Sequence, residues 1–269
     1  MSAALVFLKL GGSLITDKNQ PRTPRLDVLR RLADEIAAAQ RDRPDLQLVL
    51  GHGSGSFGHV PARRYGTRQG VHSAREWQGF VEVWREAAAL DRLVVDALQD
   101  AGLPALPFPA SGAALARAGQ AQEWNPAPIL AALQAGLLPV VYGDVVFDTL
   151  RGGTILSTED IFAYLAPRLR PGRVLLAGLE PGVWADFPAC TRLLVQITPG
   201  DLSAAGAGIG ASAATDVTGG MLAKVQQSLD LCSHVPGLDV WIFSGERPGA
   251  VYDALLGRPA GTRVTLSQG

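Results

Sequence analysis

Short apolar runs alternate with longer stretches in which apolar residues recur every three to four positions, and this alternation runs almost the length of the chain. Runs of the first kind suit strands buried on both faces of a parallel sheet, and stretches of the second kind suit the helices that cover it. The strands fall at Ala4 to Leu10, Leu46 to Leu50, Leu103 to Phe108, Leu137 to Tyr142, Val174 to Ala177, Leu193 to Ile197 and Val240 to Phe243. Helices are predicted at about Asp27 to Arg41, Ala74 to Ala101, Pro128 to Ala135, Thr158 to Leu169 and Met221 to Cys232. In the first of these, Leu29, Leu32, Ala33 and Ile36 share one face. Val145 to Asp148 and Thr154 to Leu156, joined through Arg151-Gly152-Gly153, read as a hairpin, and Ala204 to Ala214 as a small-residue loop. The pattern predicts one continuous α/β domain over residues 1–269 with two lobes, and no repeat or linker divides it.

Composition narrows the function classes. A length of 269 residues with 47% hydrophobic and 18% charged residues describes a globular chain, not a disordered one. A formal net charge of −1 argues against a dedicated nucleic-acid binder. No apolar run approaches the roughly 20 residues of a membrane span, and Met1 to Leu10 lacks a basic signal-peptide start, so a cytoplasmic location is expected. Cys190 and Cys232 have no CxxC partner and are read as packing residues. Only three of the 24 basic residues are lysines, namely Lys9, Lys18 and Lys224. All three lie in or beside glycine-rich stretches, where a compact ammonium and a planar guanidinium are not equivalent.

Three glycine clusters stand at predicted loop edges. Lys9-Leu10-Gly11-Gly12-Ser13 ends the first strand, and paired glycines there allow backbone N–H groups to form an anion-binding nest. The second cluster runs from Gly53 to His59 and formally matches G-x-G-x-x-G. The acidic residue that a dinucleotide fold needs about 20 positions later would sit in the long helix, at Glu76 or Glu82, which excludes a dehydrogenase. What remains is a helix N-terminus with glycines before it and His59 just inside, an arrangement suited to phosphate. His52 and His72 have no comparable setting, and His234 is placed to cap a helix end. The third cluster is Asp216-Val217-Thr218-Gly219-Gly220-Met221, with Lys224 one turn into the helix that follows. Each cluster alone is equally compatible with turns, caps and exposed lysines. Together they suggest a site for several phosphates, yet the P-loop pattern and the protein-kinase motifs are absent.

In these three segments the chain resembles the amino-acid kinase superfamily. Gly53 to His59 together with Thr16-Asp17-Lys18 is similar to the isopentenyl phosphate kinase family within it, the histidine after Ser56-Phe57-Gly58 being its most specific element. The resemblance covers essentially the whole chain. It implies an open αβα sandwich with a mainly parallel central sheet, assembled as a homodimer. It also implies an acceptor site in the N-terminal lobe (about 1–170) and ATP in the C-terminal lobe (about 171–269). The activity implied is ATP-dependent phosphorylation of isopentenyl phosphate, with Mg²⁺ on the ATP phosphates.

By position, Lys9 and Lys224 would bind the transferring phosphate, helped by the backbone of Gly11, Gly12 and Ser13, and Lys18 would stabilise the transition state. Asp216 and Gly220 would border the nucleotide, with Gly55 close to both phosphates. Ser54, Gly55, Gly58, His59 and Thr158 would hold the acceptor phosphate, and Asp144 or Asp160 would orient the lysines. The chain departs from the family pattern at Ser54 and Thr158, each a glycine in some relatives, and at Leu179 to Val183, which replaces an Asp-x-Asp-Gly-Val segment near the nucleotide. Trp77, Phe80, Val81 and Trp84 either line a pocket for the isoprenoid tail or form helix core. Two alternatives stay open: a kinase for another small phosphate or phosphonate, and a non-catalytic nucleotide-binding or storage protein.

Overall fold

A computed structural model describes residues 5–205 and 220–266. In chain order the first half contains β1 (Leu5–Leu10), a single turn α1 (Gly12–Ile15), α2 (Leu26–Asp42), β2 (Gln47–His52), α3 (Gly55–Tyr65), α4 (Ala74–Asp100), β3 (Ala105–Pro107), β4 (Ala114–Arg117), β5 (Gln120–Trp124), α5 (Ala127–Gln134) and β6 (Leu138–Tyr142). The hairpin β7 (Asp144–Asp148) and β8 (Gly152–Leu156) leads into α6 (Thr158–Leu169) and β9 (Arg173–Gly178). Then follow β10 (Val183–Trp184), β11 (Leu193–Leu194), β12 (Gln196–Ile197), α7 (Pro199–Ala205), α8 (Gly220–His234), β13 (Asp239–Ser244), α9 (Ala250–Leu255) and β14 (Thr262–Val264).

Eight strands form the main sheet in the order β12-β14-β13-β9-β1-β2-β6-β3, parallel throughout except at the β13–β14 pair. Alternation along β1 divides the core. Val6, Leu8 and Leu10 face a layer built from α2, α4 and α9, while Leu5 and Phe7 face α5, α6 and α8. The fold is therefore the expected αβα sandwich with a mainly parallel sheet. A smaller sheet, β5-β4-β7-β8, lies apart from the main one.

Several expectations need correction. Leu193 to Ile197 is not one strand: its first two residues pair with β10, and Gln196–Ile197 joins the main sheet through β14. The hairpin of β4 and β5 and the final α9 and β14 gave no periodic signal, because each is short and Ala114–Arg117 and Gln120–Trp124 carry few large apolar residues. Ala204 and Ala205 end a helix, and the rest of the small-residue loop lies outside the described residues.

The aromatic stripe of α4 does not line the cleft. The buried face of that helix runs through Phe80, Val83, Ala87, Leu90 and Val94. Val81 and Trp84 are 57% and 44% exposed, because each lies one residue, about 100°, round from that face. Phe80 packs with Val71, Val83 and Val145, and Trp77 lies edge-on to Phe80 and against Phe147. The helix-core reading holds for Phe80 and, at the edge of the cluster, for the half-buried Trp77, but not for Val81 or Trp84. Among the described residues no helix is long and apolar enough to cross a membrane.

Candidate active site

Parallel strands of an open sheet end on one edge, and the loops that leave them form a crevice there. Here the loops after β9, β1 and β2 are neighbours, and they bring the first two glycine clusters together. Gly11 N–H donates to Ala177 O of β9 at 2.8 Å, and Gly53 N–H to Leu10 O of β1 at 3.1 Å. The loops touch backbone to backbone: a Cβ at Gly12 would lie 2.5 Å from Gly55 N, and one at Gly53 would lie 2.9 Å from Gly12 N. Thr16 clasps the pair, its Oγ1 donating to Gly12 O at 2.7 Å and accepting from Ser56 N–H at 2.9 Å. Side chains are excluded from this junction for lack of space, which leaves room for anions to approach the backbone.

One cleft is lined by Lys9, Gly11, Gly12, Ser13, Lys18, Ser54, Gly58, His59, Thr158 and Lys224. Most of the sequence-derived site residues thus converge. Gly55 is buried beneath the cleft wall with φ +49°, packed against Thr16 and Gly12. Gly220, φ +74°, starts α8 beside Met221, which lines the cleft. Asp216 lies outside the described residues. Thr158 contributes no free hydroxyl: its Oγ1 donates to His52 O at 2.6 Å.

The acid that orients a lysine is neither Asp144 nor Asp160. Asp144 is fully buried and accepts from Ser111 N–H at 3.0 Å and Val145 N–H at 2.8 Å. Burial raises its pKa to about 6 against the lowering effect of those hydrogen bonds. Asp160 closes the capping box of α6 with Ser157 and pairs with Arg68 at 3.0 Å. Glu159, between them in the α6 first turn, takes the role instead by pairing directly with Lys9 Nζ. Burial opposes its ionisation, but the charges of Lys9 and Lys224, with the Lys9 hydrogen bond, outweigh it and hold the carboxyl below its ordinary range. Sequence gave no distinguishing signal for Glu159, since an acid in a first helical turn is ordinarily read as complementing the dipole.

Two further features were not legible. Arg63, Arg68 and Gln69 line the end of the cleft beside His59, two of them hidden among many arginines. Its apolar wall consists of Ala62, Val83 and Ile155, three residues that no single periodic pattern links. At the opposite end the cleft is bordered by Gly178, Leu179 and Glu180, so the altered segment still supplies a carboxylate there, accepting from Trp184 Nε1 at 3.1 Å. His234 Nδ1 contacts Asp230 O of its own last helical turn at 2.7 Å. Cys232 is buried and Cys190 part-exposed, and both are free thiols.

A crevice at the carboxyl edge of a mainly parallel sheet, lined by backbone nests and ammonium groups, marks a phosphate-handling α/β protein. The chain belongs to the amino acid kinase family, whose family model matches residues 4–244. Isopentenyl phosphate kinases are among its relatives. It is 36% identical to that of Haloferax volcanii over 255 residues, covering 92% of this chain and 98% of the other. To that of Methanocaldococcus jannaschii it is 30% identical over 274 residues, 98% of this chain and 100% of the other. A solved structure of isopentenyl phosphate kinase matches with a TM-score of 0.81 at 30% identity, covering 97% of this chain and 100% of that one.

Proposed function

We propose that this protein transfers the γ-phosphoryl group of ATP to isopentenyl phosphate, giving isopentenyl diphosphate and ADP. The observation that carries this reading is the convergence of all three lysines and His59 on one cleft that has an apolar wall of Ala62, Val83 and Ile155 beside His59. The N-terminal half supplies the acceptor subsite and the C-terminal half the nucleotide subsite, meeting where β1 lies beside β9. An acceptor phosphate oxygen attacks the γ-phosphorus in line, the bond to the β-phosphate oxygen breaks, and ADP leaves. No general base is required, because a phosphate monoester with a second pKa of about 6 is already mostly ionised at neutral pH.

The protein's part is positioning and charge neutralisation. Lys9, Lys224 and the N–H groups of Gly12 and Ser13 hold the transferring group, while the Gly11 N–H is already engaged by Ala177 O and serves only to shape the turn. Lys18 supplies charge as the transition state forms, and Asp216 and Gly220 border the nucleotide. His59 and the backbone of Ser54 and Gly55 hold the acceptor phosphate, with Gly58 beside them and Ala62, Val83 and Ile155 against its apolar tail. Among the described residues no three His, Cys, Asp or Glu side chains are grouped to cage a metal. A Mg²⁺ brought in on the ATP phosphates would supply further neutralisation of the phosphate charge. A homodimer belongs to the same proposal and is measured by sedimentation.

The test is ADP release with ATP and a panel of isoprenyl phosphates, small phosphonates and amino acids. Turnover with isopentenyl phosphate is expected, and none with any C5 to C15 isoprenyl phosphate overturns the reading. ATP binding without turnover on any acceptor would point to the storage alternative. In the same assay, His59→Ala is expected to raise the acceptor KM, losing about 1.5–3 kcal/mol for a hydrogen bond to a charged group, with the ATP KM unchanged. Unaltered acceptor kinetics would remove His59 from the site.

A further inference from the structure

His52 ends β2, is completely buried, and is followed directly by the Gly53-Ser54 connection to α3, the helix that carries His59. Oxygen atoms bracket its imidazole. Nε2 lies 3.1 Å from Asp91 Oδ1 on α4, and Nδ1 lies 3.2 Å from the carbonyl oxygen of Gly53. The ring stacks on Tyr142, with centroids 5.4 Å apart. A backbone carbonyl can only accept, so the contact with Gly53 is a hydrogen bond donated by Nδ1–H, with Asp91 the partner at Nε2. The His52 carbonyl in turn accepts from Thr158 Oγ1 at 2.6 Å and Gly143 N–H at 3.2 Å, and both of those residues line the cleft.

In a trans peptide the carbonyl and the following N–H point in opposite directions. With the Gly53 carbonyl turned back toward the buried imidazole, the N–H of Ser54, a residue that lines the cleft, points away from that imidazole. Gly53 cannot be replaced by a stiffer residue, because a Cβ there would meet Gly12 N at 2.9 Å. A glycine peptide rotates easily, and its orientation has to be imposed from outside.

We propose that His52, backed by Asp91, is a positioning residue for the acceptor phosphate: it locks the Gly53–Ser54 peptide so that Ser54 N–H faces that phosphate. The proposal rests on the acceptor assignment made above. It touches no reacting atom and acts through one peptide plane.

Two pairs of variants test it by steady-state kinetics, with circular dichroism as the fold check. Asn keeps a donor at the δ position and Gln moves it to the ε position. His52→Gln is expected to raise the KM for isopentenyl phosphate about tenfold or more, with kcat and the ATP KM within about threefold, while His52→Asn leaves all three within about threefold. Asp91→Asn can donate to Nε2 and so keeps the proton on Nδ1, preserving the acceptor KM. Asp91→Ala loses that selection and raises it. Equal acceptor KM values for the Gln and Asn variants, or a loss spread evenly over both substrates, overturn the proposal. Should His52→Gln not fold, an unchanged acceptor KM in Asp91→Ala overturns it equally. If the unaltered protein turns over no isoprenyl phosphate, the acceptor assignment fails instead. The Ser54 amide resonance under titration with inorganic phosphate then decides: a shift in the unaltered protein that is lost in His52→Gln or Asp91→Ala upholds the positioning role, and the same shift in all overturns it.

Discussion

Lys9→Met is expected to lower kcat by about 10²–10³-fold with the fold intact, the loss typical of removing one preorganised group from developing charge. The expectation follows from where Lys9 stands. It is the last residue of β1 on the Phe7 side, and alternation therefore aims it at the layer of α6 and α8. Glu159 of α6 holds its ammonium, and Lys224 of α8 acts on the same carboxylate. Because the Glu159 carboxyl is held below its ordinary range, the pair persists at neutral pH and is lost only as acid carries the pH down through that lowered value. Lys9→Arg keeps the charge but replaces a point donor with a planar fork that grips a carboxylate through two hydrogen bonds, and is expected to recover about a tenth of the lost rate or less. ADP release at saturating substrates measures both. Full turnover in either variant would reduce the scarcity of lysine in this arginine-rich chain to a matter of codon usage.

Gly12→Ala is expected to cost about 1–3 kcal/mol or more in stability and to abolish most turnover. The new methyl carbon would lie 2.5 Å from Gly55 N and 2.6 Å from Gly55 Cα. Both are main-chain atoms that cannot swing aside, so the two loops must separate and the Thr16 clasp between them must open. Gly178→Ala is the matching control for stability, since a methyl there meets nothing within 4 Å. Chemical unfolding of both variants checks the prediction. Equal midpoints would show that the loops tolerate separation.

The parts of this molecule that read clearly from sequence are those encoded in a few neighbouring residues. Continuous apolar runs gave the strands of the parallel sheet, because burial on both faces removes polar alternation. Glycine pairs beside isolated lysines gave the nests. What did not read was whatever depends on a partner far along the chain. Glu159 meets Lys9 across 150 positions, and His52 meets Asp91 across 39. The orientation of α4 was only partly legible, because Trp77, Phe80, Val81 and Trp84 look like one stripe while the packed face runs from Phe80 through Val83, Ala87, Leu90 and Val94. Asp144 was legible as an acid next to a glycine but not as a buried loop brace, since its partners are backbone N–H groups that no residue type advertises.

The adjacency of β9, β1 and β2 turns the sheet into a ruler. In the proposed reaction the loops at the nucleotide end, the transfer point and the acceptor end start from consecutive strands, each about 4.8 Å from the next in a hydrogen-bonded sheet. The step between donor and acceptor is thus graduated by the spacing of the ladder itself, with Lys9 opposite Gly51 on one side and Leu176 on the other. Core substitutions can loosen the sandwich without altering that interval. A slip of β1 by a single residue would instead turn the Lys9 side chain to the opposite face and leave the scale intact but without its mark.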